Sequence, residues 1–162
     1  MATPLAEFEA ALASFATERD VGAALHRLAV ATVGTKLFTM TADNAAGGYV
    51  RRVYSSDEVA YPLLGTKPIV FDEGYEAMRR GAIYVANSLK AMEADFPDLD
   101  LIRSLGCGSA INMPIVVGRE LIGSVNLLDA EGSYPAERVE AAKALTVPAM
   151  ACFLILRSRF EI

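Results

Sequence analysis

The chain has one histidine, two cysteines and no tryptophan, and each scarcity closes off some chemistry. His26 stands alone, so neither a histidine-rich metal site nor a repeated His-Cys pairing can be assembled. It lies inside the helical stretch GAALHRLAV, which suits a helix-face imidazole with one hydrogen bond; nothing in the sequence ties it to a Ser-His-Asp arrangement. Cys107 and Cys152 are 45 residues apart and make no metal-ligand spacing. Two free thiols fit a reducing compartment, which points to the cytoplasm. Positive charge is also in short supply. Lys and Arg number 15 against 20 acidic residues, for a net charge of −5. No basic stripe offers itself to phosphates, which excludes nucleic acid as a partner. Arg51 and Arg52 are adjacent in an expected strand, so they point to opposite faces. Long apolar runs are missing too. The longest uncharged run, Ala144 to Leu156, is shorter than the roughly 20 residues of a membrane span and carries Pro148. The opening residues MATPLAEFEA lack the basic start and apolar centre of a secretion signal. The reading is a soluble cytoplasmic protein with no membrane partner.

What is present is a globular composition, 53% apolar and 22% charged over 162 residues, with no repeat, linker or low-complexity tract. This predicts one domain over 1–162, with a core of about 20–160 preceded by a helix over about 4–18. In that helix Leu5, Phe8, Leu12 and Phe15 form one apolar stripe. A second helix follows, with Asp20 as its expected cap and Gly34 at its end. KLFTMTA and YVRRVYSS read as strands joined by the turn residues DNAAGG. DEVAYPLLGTKPIV, with two prolines and a glycine, reads as a long loop or lid. A short helix ending at Gly81, a strand AIYVA, and helices capped by Ser88 and Asp98 complete the middle of the chain.

The stretch GCGSAINMPIVVGRELIGSVNLLD then alternates around a Gly118-Arg119 turn. A two-residue turn sets Val117 opposite Glu120, Ile115 opposite Ile122, Met113 opposite Ser124, Ile111 opposite Asn126 and Ser109 opposite Leu128. Those residues share one face with Cys107, and Ala110, Asn112, Pro114, Val125 and Leu127 take the other. Both faces are largely apolar, so both need covering. The terminal helices can cover one and residues 56–105 the other, which is an α+β sandwich around one antiparallel sheet. The last helical region carries a heptad-like seam from Val139 to Phe160, with a kink or break expected at Pro148.

This order of elements, with SAINMPIVVGRELIGSVNLLD as its most telling part, resembles a GAF domain, a profilin-like α+β fold. Such domains carry a small-x-hydrophobic-x-x-Pro strand, a short turn and a hydrophobic-Gly-x-hydrophobic-x-Leu strand. The resemblance covers about residues 20–160. It implies the strand order 2-1-5-4-3, terminal helices on one face that often dimerise, and a ligand pocket under the middle segment on the other. Relatives bind cyclic nucleotides, bilins, haem or small metabolites, and a few are free-methionine-sulfoxide reductases.

Candidate pocket residues follow from predicted facing. Ser109, Ser124 and Asn126 put polar groups on the face shared with Cys107; as core residues each would need a partner or cost about 1–3 kcal/mol. Tyr61 and Phe96 are candidate walls, Tyr84 and Asn87 flank the third strand, and Thr66 and Lys67 of GTKP are either a ligand-facing pair or part of a solvated turn. Cys107 has two readings. As a nucleophile it would make the chain a thiol-dependent reductase of the sulfoxide-reductase type. As a small buried thiol it packs like alanine. It follows the C-terminal end of a predicted helix, whose negative pole opposes a thiolate, and no resolving cysteine is near. Bilin attachment would place a histidine beside the cysteine, and here Gly108 follows. KPIVFDE holds four letters of the cyclic-nucleotide signature but contiguously, where that signature is dispersed. The sequence therefore supports a non-catalytic, small-molecule-binding regulatory domain, with no metal and no identified cofactor. It is expected to be a homodimer through the terminal helices and to signal to a separate partner. The redox enzyme and a purely structural dimerisation module are the alternatives.

Overall fold

The computed structural model describes residues 1–63 and 65–162; Leu64, in the expected lid, lies outside the described residues. Two helices open the chain, α1 (Pro4–Ser14) and α2 (Glu18–Thr32). Thr3 caps α1 by accepting from the Ala6 N–H, and Pro4 occupies the first turn, where a missing N–H costs nothing. Thr17, not Asp20, is the cap of α2. Its hydroxyl accepts from Asp20 N–H while the Asp20 carboxylate accepts from Thr17 N–H at 2.9 Å. This reciprocal pair puts the cap three residues ahead of the expected one, and α1 ends at Ser14.

The sheet is antiparallel and six-stranded: β1 (Leu37–Asn44), β2 (Tyr49–Ser55), β3 (Thr66–Pro68), β4 (Tyr84–Ala86), β5 (Ser109–Val117) and β6 (Glu120–Asp129). Its order is β3-β2-β1-β6-β5-β4. This differs from the expected order by β3, a three-residue edge strand inside the segment read as a lid. Pro68 is tolerated there because an edge strand leaves one row of N–H groups unused.

Gly118 and Arg119 both have positive φ, 58° and 70°, and place Val117 opposite Glu120 as the sequence predicts. The predicted register holds for one more pair, Val116 with Leu121, and then fails: Ile115 pairs with Gly123, so Ile122 is an extra residue in β6, a β-bulge. From there on the pairs are Met113–Val125, Asn112–Asn126 and Ser109–Asp129. The reason is local. A Cβ on residue 123 would sit 2.5 Å from Phe153 Cε1 and 2.6 Å from the Thr41 carbonyl oxygen, so only glycine fits between the sheet and the last helix. The slip moves Ser124 and Asn126 to the face of Asn112 and away from Ile111, Met113 and Ser109.

Two cores result. On one side α1, α2, α6 (Ala136–Lys143) and α7 (Thr146–Arg159) pack on the sheet, with Leu25, Phe38, Met113, Val125 and Phe153 fully buried. On the other, the middle segment with α3 (Glu73–Arg79), α4 (Leu89–Met92) and α5 (Leu99–Ser104) forms a smaller core through Tyr61, Met92 and Ile102. The expected break near Pro148 lies four residues ahead of it. α6 and α7 meet at 43° around Ala144–Leu145, and the proline sits in the first turn of α7, where it disrupts no bond. Among the described residues no single helix is long and apolar enough to cross a membrane.

Replacing Gly123 by alanine should lower stability by about 1–3 kcal/mol, the cost of overpacking a closed core. The check is a urea melt with a lower midpoint at unchanged slope, and an unshifted midpoint would show that Phe153 yields freely.

Candidate functional site

The middle segment leaves a cavity of about 330 Å³ against the sheet. Its floor is two polar rows that cross the strands. In one, Arg52 of β2 pairs with Thr41 of β1, and Thr41 with Ser124 of β6. In the other, Thr39 pairs with Asn126, and Asn126 with Asn112 of β5. Asn126 Nδ2 donates to Thr39 Oγ1 at 3.2 Å and Thr41 Oγ1 at 3.5 Å, which ties the rows together. Leu37, Val50, Met78 and Phe96 supply apolar lining, and Thr66 and Lys67 stand at the rim on β3. A small cavity with an apolar lining and a few convergent polar groups has the usual form of a ligand site.

Tyrosines brace its walls. Tyr61 O–H donates to Asp98 Oδ2 at 2.7 Å, and Tyr84 O–H to Asp95 Oδ2 at 2.8 Å. Asp98 is the N-cap residue of α5, yet its carboxylate makes no cap bond to that helix and is turned to Tyr61. Burial and the neighbouring carboxylate push the Tyr61 phenol far above its ordinary range and that of Tyr84 up to about 12, so both remain donors at any physiological pH. Arg52 Cζ lies 4.9 Å from the centre of the Tyr61 ring, and its Nη1 donates to the Pro62 carbonyl at 3.1 Å. Its Nε is buried with no hydrogen-bond partner among the described residues, and so is the Asn112 Oδ1 position.

Of the ten residues expected at the site, Tyr61, Thr66, Lys67, Phe96, Ser124 and Asn126 line this cavity. Tyr84 stands behind it, tilted against Phe96. Three do not belong to it. Asn87 is spent on Tyr134, donating to its carbonyl at 2.6 Å and accepting from its N–H at 2.8 Å. Ser109 keeps the parity of Ile111 and Met113, from which the bulge removes Ser124 and Asn126, and it donates to the Ala130 carbonyl at 2.7 Å. Cys107 is buried in the smaller core beside a separate recess that it shares with His26 and Lys36. Sequence reasoning missed Thr39, Thr41, Asn112 and above all Arg52. The alternation of YVRRVYSS already placed Arg51 and Arg52 on opposite faces, and that was the available signal.

The recess brings His26 and Cys107 to one place, yet the chemistry opposes a reactive pair. Burial raises the thiol, as does Asp129, against the lowering effect of Lys36. Burial lowers the imidazole, helped by Arg27. Both shifts disfavour a thiolate–imidazolium pair. His26 Nδ1 is also 3.1 Å from the Tyr54 hydroxyl, with its ring stacked on Phe38. Cys152 lies in the opposite core, across the sheet, with its thiol pushed up to about 12 by burial.

No protein-family model matches the sequence, and no curated protein does. Solved structures do match. A phycocyanobilin-bound GAF domain from a cyanobacterial phytochrome superimposes with a TM-score of 0.70, covering 99% of this chain and all (100%) of that one at 14% identity. The chain has the GAF fold. The GAF domain of a phosphoenolpyruvate-protein phosphotransferase from Coxiella burnetii gives 0.70 over 96% of this chain and 93% of that one at 13% identity. That of a two-component sensor histidine kinase from Bacillus halodurans gives 0.68 over 85% and 94% at 11%. At such identities the likeness establishes the GAF fold, and the pocket's chemistry has to be read from this chain's own side chains.

In native protein, Ellman's reagent should titrate neither thiol quickly at pH 7.5, and two thiols per chain should appear on adding denaturant. Rapid native labelling of Cys107 would reopen the nucleophile reading.

Proposed function

We propose that this protein is a sensory or regulatory GAF module that binds a small organic molecule between its sheet and its middle segment and has no catalytic step. The observation that carries the reading is the cavity floor. Two rows of polar side chains, with the Arg52 Nε and Asn112 Oδ1 positions buried and unpartnered among the described residues, lie under a middle segment whose Asp95 and Asp98 are already engaged by tyrosines. Orphaned polar groups of this kind cost about 1–3 kcal/mol each, which a ligand that bonds them recovers. Solved GAF domains of sensor kinases and bilin-bound phytochromes share the architecture, which supports a sensory role. The buried, up-shifted Cys107 weighs against the sulfoxide-reductase alternative.

Ligand would order residues 56–105 over the sheet, a population shift that the terminal helices pass to a separate partner protein. We place the protein in the cytoplasm, where its two free thiols are stable. We also propose a homodimer through the terminal helices. Val147 and Leu154, seven residues apart on α7, are 71% and 47% exposed, and Val30 on the adjacent α2 is 48% exposed. An apolar stripe on a helix that already packs inward on its other side suits a second copy of the same helices.

Two measurements test these readings. Native mass spectrometry of protein incubated with a small-metabolite extract should show one small molecule per chain, with a matching rise in melting temperature. Ser124→Trp, which fills the cavity floor, should abolish both; uptake unchanged in that variant would overturn the site. For assembly, light scattering should give twice the chain mass for the parent and the single-chain mass for Val147→Lys/Leu154→Lys. A monomeric parent would overturn the dimer.

A further inference from the structure

The cavity contains an arginine, the half-buried Arg52, to which the described residues give no direct ion pair. One side of its guanidinium is committed, with Nη1 on the Pro62 carbonyl and the Tyr61 ring stacked below. The Nε–Nη2 edge carries no hydrogen bond among the described residues, and Nε is out of reach of solvent. That edge has two parallel N–H groups, which match the two oxygens of a planar carboxylate; Nε is enclosed, so a carboxylate meets Nη2 first and takes Nε only as the loop held at Pro62 shifts. The carboxylates of the cavity do not take that place. Asp98 is close enough to favour the charged guanidinium but is engaged by Tyr61, and Asp95 is engaged by Tyr84.

Across the floor, polarity runs the other way. Arg52 and Asn112 lie on strands separated by β1 and β6, about 14 Å apart at three strand spacings, and are offset by two residues along the strands. One end of the Asn112 amide is buried without a partner among the described residues, and the Asp95 carboxylate belongs to this side, held by Tyr84, which pairs with Asn112 across β4 and β5. Between the two ends the floor carries Thr39, Thr41, Ser124 and Asn126, and Leu37, Val50, Met78 and Phe96 add apolar lining to the same cavity.

From this arrangement we infer that the ligand is an organic carboxylate, held at its anionic end by Arg52, with an apolar body and an N–H or O–H donor at its far end. The inference rests on the cavity being a ligand site and adds the chemical class. It also assigns a second role to Arg52. The residue that receives the anion is the one that anchors the roof loop at Pro62, so binding and loop position are coupled through one side chain.

The test uses matched probes: 2-naphthoate and 6-amino-2-naphthoate, each against its own primary amide, titrated into the full chain by calorimetry. The expected result is at least a tenfold preference for each carboxylate over its amide, tighter binding for the amino-substituted acid, and loss of all four titrations in Ser124→Trp. Arg52→Met should erase the carboxylate preference, and Arg52→Lys should restore part of it. If the Met variant fails to fold, the acid–amide comparison on the parent, and its weakening between 50 and 500 mM salt, decide the matter alone. Equal binding of acids and amides, with both lost in Ser124→Trp, overturns the carboxylate class while leaving the cavity a ligand site. Binding that survives Ser124→Trp, or no binding of any probe to the parent, overturns the inference outright.

Discussion

A sheet covered on both faces must satisfy its polar side chains from within, and the rest of this structure depends on how that is done. On the helical side the answer is to have almost none: Phe38, Met40, Ile111, Met113 and Val125 meet α2 and α7 in a dry core. On the other side, Thr39, Thr41, Arg52, Asn112, Ser124 and Asn126 share one floor, and only part of their hydrogen-bonding capacity is met by the chain itself. The asymmetry separates an apolar face of the sheet from a polar one. A closed core of the same size could have been built from valine and leucine at no polar cost.

The layered architecture was legible because it rests on periodicity. The inward seam of the last helix, alternation in the hairpin strands and the turn residues at Gly118-Arg119 recur in the structure, whereas of the α1 stripe only Phe8 is buried and Leu5 is 51% exposed. The site was only partly legible, and the reason is one residue. Strict alternation cannot register an inserted Ile122, because Leu121 and Ile122 are both apolar and both buried, at 4% and 1% exposure. The resulting slip misassigned Ser109 and obscured the pairing of Asn112 with Asn126. Arg52 was missed for a different reason. Charged residues in strands are ordinarily solvated, and its burial depends on Tyr61 and Pro62, which arrive from a loop with no periodic signature. The edge strand β3 escaped notice for the same cause, being three residues long and ending in proline.

The two cysteines illustrate how burial decides chemistry that composition leaves open. Each is enclosed, each has its thiol pushed above the ordinary range, and the sheet stands between them. Asp98 shows the converse. Its sequence position marks a helix cap, but the structure directs its carboxylate to a tyrosine that walls the cavity, so a residue with a standard local role serves the site.

Gly123 has a wider meaning than its own fit. It is the residue before Ser124, and on its back it meets Phe153 with less than a methyl group's clearance. Strand β6 is thus a membrane-thin partition between two chambers, pressed from behind by an aromatic piston on the last helix. The helix that bears Phe153 exposes Val147 and Leu154 on its outer side. No hinge separates the cavity from the helical core, because the floor of the one is the wall of the other.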